Sequence, residues 1–74
     1  RTESAERYFH AVLQRVPGHP KANAGYARLL VDTGRTQQAK EHLTRSLDAW
    51  AEADPEFEPA KEARTLLAAM TEDA

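Results

Sequence analysis

Residues Pro20–Leu47 read Pro-Lys-Ala-Asn-Ala-Gly-Tyr-Ala-Arg-Leu-Leu-Val-Asp-Thr-Gly-Arg-Thr-Gln-Gln-Ala-Lys-Glu-His-Leu-Thr-Arg-Ser-Leu, and the punctuation of this stretch decides the fold. Pro20 suits a first helical position, where its missing N–H would have been an orphan donor in any case. Gly34 suits the left-handed residue that closes a helix, because it has no Cβ to clash. Between the two, no breaker is stronger than Gly25. After Gly34, a second apolar series of Ala39, Leu43, Ser46, Leu47 and Trp50 falls on one helical face. The stretch therefore reads as helix, tight turn, helix.

Upstream, Ala5, Tyr8, Phe9, Val12, Leu13 and Val16 follow the i, i+3, i+4, i+7 spacing of one buried helical face. Pro17-Gly18-His19-Pro20 stops that helix, since the residue before a proline is pushed out of the α region. Downstream, the hydroxyl of Thr36 is expected to cap the third helix, which should run to about Ala53, ahead of Asp54-Pro55. Pro59 is tolerated only in a first turn, so the fourth helix begins near Glu58. There Ala60, Ala63, Leu67 and Met70 form its apolar stripe, with Leu66 beside it and Phe57 folding back onto it. The pattern predicts an all-α chain with helices near 2–16, 21–33, 36–53 and 58–71, fraying over its last four residues. Phe9, Tyr26, Leu30, Leu43 and Leu47 are its expected core.

Composition narrows the function. Seventy-four residues make one small domain, covering 1–74, with little surface to bury. No Met precedes Arg1, which raises the expectation that the segment belongs to a longer polypeptide. The absence of Cys removes disulfides, thiolate metal sites and cysteine nucleophiles. A net charge of −2 supplies no overall attraction for nucleic acid. No apolar run approaches the roughly 20 residues that a spanning helix needs, so a soluble chain without a membrane partner is expected, its compartment open between cytoplasm and periplasm. Fourteen Ala and three Gly favour helix throughout.

Sliding the chain against itself by 34 positions pairs Arg1-Thr2 with Arg35-Thr36, Ala5 with Ala39, Leu13 with Leu47 and Phe9 with Leu43. The matches fall at cap and core sites of two separately read helices. Here the sequence resembles the tetratricopeptide repeat family, whose unit is a helix pair, A then B. Tyr26-Ala27 matches the large-small pair of helix A, Leu30 the apolar residue one turn on, and Gly34 the closing glycine. Ala39, Leu43 and Ser46 match the small-bulky-small series of helix B, which Ala5, Phe9 and Val12 repeat in the preceding unit ahead of Pro17. Three positions depart: Asn23 stands where Trp is common, Val12 is large for its site, and Ala51 replaces the terminal Pro. On this reading 2–16 is helix B of one repeat, 20–54 a full repeat and 58–71 a following or capping helix. The overrun of the second helix B toward Pro55 suggests the edge of an array.

What the resemblance implies is a non-catalytic scaffold: a fragment of a right-handed α-solenoid that binds a peptide or partner helix in a concave groove lined by helix A. Lys21, Ala24, Arg28 and Asp32 would face that groove, with Lys21 and Arg28 placed to meet a carboxylate. Ala24 and Gly25 leave empty two sites of the family's clamp for a C-terminal carboxylate. The alternative is an oligomerisation or docking segment of a larger enzyme or regulator, acting through helical end faces that carry Tyr8, Leu29 and Leu66.

Sharper chemistry finds less support. Glu6 and His10 at i, i+4 could hold a metal, yet two ligands make a weak site, and a solvated surface is the expectation for them. His19 belongs to the interhelical loop. Ser4 and Ser46 lack a nucleophile context, and Ser46 should pack with its hydroxyl on the His42 carbonyl. Glu52, Asp54, Glu56 and Glu58 read as a solvated turn, since no calcium-loop spacing is present. Lys40 stands where a helix-turn-helix wants an apolar residue. Trp50 and Phe57 either pack as core under the fourth helix or serve as an aromatic anchor for a partner. No catalytic residue, metal or cofactor is assigned.

Overall fold

The computed structural model describes residues 2–72; of the four residues expected to fray, 71 and 72 are helical, while 73 and 74, like the repeat match at Arg1, lie outside the described residues. Four helices follow in order: α1 Thr2–Arg15, α2 Pro20–Asp32, α3 Thr36–Ala49 and α4 Glu58–Glu72. There is no strand among the described residues. α2 and α3 form the main hairpin, with α1 on one side of α2 and α4 against α3.

The hairpin turn is built as its residues require. Gly34 takes φ 81°, its N–H bonds to the Val31 carbonyl at 3.1 Å, and the Arg35 N–H reaches back to Leu30 at 2.8 Å. These two bonds are the Schellman closure of a helix, which needs a residue that tolerates left-handed backbone. At the other end of α2, Pro20 opens the helix and the His19 ring accepts from the Ala22 N–H at 3.1 Å, so His19 caps α2 rather than merely linking it to α1.

The core runs through Ala22, Tyr26, Ala27, Leu30, Ala39, Leu43, Ala60, Ala63 and Met70. Of the expected core, Tyr26, Leu30 and Leu43 are buried, whereas Phe9 and Leu47 are half-buried against its edge. For Phe9 the difference follows from position: α2 is packed on both sides, but α1 touches only one neighbour closely. Gly25 supplies the space for Phe9, since a Cβ there would stand 2.8 Å from the ring's Cε1 and Cζ. The ring in turn stacks on Tyr26 with centroids 5.9 Å apart.

Three local expectations are corrected. α3 ends at Ala49, four residues short of Ala53, because bonds from Ala51 to Asp48 and from Ala53 to Trp50 span three residues instead of four and tighten the chain out of α geometry. The long helix B that suggested an array edge is therefore absent. Thr36 does not cap α3: Arg35 holds the cap position, makes no side-chain cap bond and sends its guanidinium elsewhere, while Thr36 is already helical. Ser46 is buried as expected, but its hydroxyl donates to the Leu43 carbonyl at 2.8 Å instead of to His42.

Candidate functional site

α2 and α4 lie far enough apart to leave a cleft of about 310 Å³ between them. Its apolar surface comes from Ala24, Gly25, Trp50, Pro59, Ala63 and Leu66, with the fully buried Leu43 behind them, and its charged groups are Lys21 and Arg28 on α2 with Glu62 on α4. Three of the four residues expected on the groove, Lys21, Ala24 and Arg28, line this one cleft. The fourth, Asp32, is exposed at the C-terminal end of α2 and does not line it. Helical repetition explains the grouping: positions 21, 24 and 28 are separated by three and four residues and so share a face, as position 32 would if the cleft extended one turn further. Neither Lys21 nor Arg28 takes part in an ion pair among the described residues.

Trp50 was expected as core or as an anchor, and its surroundings combine both. The indole is half-buried against the core, meets Phe57 edge to face at 5.5 Å and lines the cleft beside Leu43. Phe57 is 39% exposed and does not line the cleft. The acidic turn before α4 is partly neutralised from within: the Asp54 carboxylate accepts from the Glu56 N–H at 2.8 Å, and Lys61 pairs with Glu56 at 3.7 Å and Glu58 at 3.4 Å.

A polar network behind the cleft was not foreseen. Glu6 is half-buried and His10 is exposed, in keeping with the solvated surface expected there, yet both reach the Tyr26 hydroxyl, which donates to Glu6 Oε2 at 2.9 Å and lies 2.9 Å from His10 Nε2. Arg35 pairs with the same Glu6 oxygen at 2.9 Å. Hydrogen bonds from Arg35 and then Tyr26 hold the Glu6 carboxyl below its usual range, and burial with the Glu6 bond raises the Tyr26 phenol above its own. Asn23, which stands where the family commonly has Trp, is fully buried. Its amide donates to the Pro17 and His19 carbonyls at 3.0 Å each, and its oxygen lies 2.7 Å from His42 Nδ1. The i, i+4 spacing of Glu6 and His10 was a signal for this network, but nothing local announced Tyr26 as their common partner.

Among the described residues no group of three or more His, Asp or Glu is placed to hold a metal, and no helix is long and apolar enough to cross a membrane. The arrangement offers surface chemistry: an apolar floor, two cations and a single carboxylate opposite. In comparison with known proteins, a family model described as tetratricopeptide repeat matches residues 1–69. No curated protein matches the chain, and no solved structure does.

Proposed function

Because this chain belongs to the tetratricopeptide repeat family, whose members serve generally as protein-interaction modules, we propose that it is a non-catalytic scaffold that receives an acidic peptide or partner helix in the cleft between α2 and α4. In this reading α1 is helix B of one repeat, α2 and α3 form a full repeat, and α4 is the following helix A. The observation that carries the reading is the placement of Lys21 and Arg28 above one apolar floor, with no ion-pair partner among the described residues. A ligand carboxylate meets the α2 wall, and an aliphatic side chain fills the floor beside Trp50 and Leu66. Glu62 on the facing wall repels a uniformly acidic ligand and so favours one whose charge lies toward α2.

Trp50 is the chain's single tryptophan and lines the cleft, so its emission reports occupancy directly. Titration with short peptides that combine glutamate and leucine should shift that emission to saturation. The shift should be lost in the Lys21→Glu, Arg28→Glu double variant while helicity is retained. Saturation that is unchanged in the folded double variant removes the cleft from the assignment.

A second reading rests on α1 and the residue that follows it, where Tyr8 is 63% and Val16 49% exposed. Association through this end face is apolar and strengthens or holds as salt rises, whereas binding through two cations weakens. Salt dependence thus separates the two.

A further inference from the structure

A second cleft, of about 360 Å³, opens on the other side of Tyr26, between α1 and α3. It is lined by His10 and Gln14 of α1, His42 and Arg45 of α3, and the apolar edges of Leu13 and Pro17. Among the described residues no carboxylate lines it. The closest acidic group in the network, Glu6, is already held by Arg35 and Tyr26.

Hydrogen-bond directions fix both imidazoles. The Tyr26 hydroxyl has one proton and gives it to Glu6, so His10 must donate to it from Nε2–H. The Asn23 amide donates from Nδ2 to two carbonyls, so its oxygen accepts and His42 must donate from Nδ1–H. Each ring therefore has one nitrogen committed to the protein and one, Nδ1 of His10 and Nε2 of His42, left over. When a ring is protonated its remaining nitrogen becomes a second donor without disturbing the first bond.

We propose that the cleft between α1 and α3 is an oxyanion site, in which the Arg45 guanidinium and the uncommitted nitrogens of His10 and His42 hold a carboxylate or phosphate group. The charged and titratable groups facing His42 are His10 from α1, Tyr26 from α2, and Glu41 and Arg45 from its own helix; those facing His10 are Glu6, Tyr26 and His42. Burial foremost, then the positive charge of Arg45, with a smaller contribution from His10, lowers the His42 pKa, and Glu41 opposes them in part. A bound anion offsets those cations and lets the ring take its proton, so binding tightens as pH falls. This site is separate from the α2–α4 cleft and does not depend on that reading.

The test uses the intact chain, with sulfate as a probe whose charge is constant across the range and acetate as a carboxylate, both at fixed ionic strength against chloride. Backbone and imidazole resonances are followed by NMR. Saturable shifts at His10, His42 and Arg45 are expected, tighter at about pH 5.5 than at about pH 7.5. Arg45→Gln, an exposed substitution that leaves the fold intact, should weaken binding about tenfold by removing a charge-assisted bond. Saturation by sulfate alone assigns the site to phosphate-like groups, and saturation by acetate alone to carboxylates. Linear, unsaturable shifts, affinity unaltered by Arg45→Gln, or affinity that does not change with pH would each overturn the proposal.

Discussion

Asn23 Oδ1 lies 2.7 Å from His42 Nδ1, a bond that joins the start of α2 to the middle of α3 across nineteen positions of sequence. The same amide holds the carbonyls of Pro17 and His19, so one buried side chain ties the α1–α2 loop, α2 and α3 together. Replacing Asn23 with Ala leaves His42 Nδ1 and the Pro17 carbonyl without these partners. A buried polar group deprived of its partner costs about 1–3 kcal/mol. Urea unfolding of Asn23→Ala should show a loss at or above the upper end of that range, since a cavity is added. An unchanged midpoint would mean that water replaces the amide at no cost.

Stability should fall on the acid side in two stages. The His42 pKa is lowered in the folded chain, so between its folded value and the ordinary 6.5 the unfolded chain binds more protons, and stability declines as pH drops below about 6.5. Glu6 is held below its ordinary 4.5, so its contribution is present above that value and is lost as pH falls through the folded one. The Tyr26 phenol is raised above 10.0, so a third loss is expected as pH rises through that region. Urea midpoints measured across pH should show the first decline in the parent chain and a flatter profile in His42→Gln. An equal slope in both would remove His42 as the cause.

Gly25→Ala sets two effects against each other. Ala favours the interior of α2 by about 0.8–1.0 kcal/mol over Gly. Its Cβ, however, would stand 2.8 Å from two atoms of the Phe9 ring, which is also stacked on Tyr26 and so has little freedom to retreat. Net destabilisation is expected from thermal melting. Adding Phe9→Leu, which withdraws the conflicting ring atoms, should return part of the helix gain, so that the two substitutions are strongly non-additive. Simple additivity would show that Phe9 moves aside freely.

Leu43 is 0% exposed and touches the hairpin core, whereas Leu47, one turn on, is half-buried. Truncating Leu43 to Ala should cost about 2–5 kcal/mol. That is a large share of the stability available to a domain of this size. Leu47→Ala should cost clearly less, because part of its side chain already faces solvent. Equal losses by urea titration would place the core closer to α4 than it lies.

Helix number, helix order and the hairpin were legible because they rest on local causes. Pro20 and Gly34 act through their own φ angles, and the apolar stripes of α1, α2 and α3 follow from a fixed helical period. The 34-residue match was enough to identify the family. It was also enough to put Lys21, Ala24 and Arg28 on one face, since that too is periodicity. The end of α3 was not legible, because Pro55 marks where a helix must stop, whereas the chain tightens already after Ala49 near the Trp50–Phe57 contact.

By itself, then, the sequence determined the all-α class, the repeat unit and which faces of the helices are apolar. Only the tertiary structure decided that Glu6 and His10 share the Tyr26 hydroxyl while Arg35 pairs with Glu6, that Asn23 meets His42, and that the α2 cations look across a cleft at Glu62 on α4. The reason is physical. Periodicity states which face a side chain occupies, but a hydrogen bond of 2.7 to 2.9 Å depends on the separation and rotation of two packed helices, which are set by the summed contacts of the whole core.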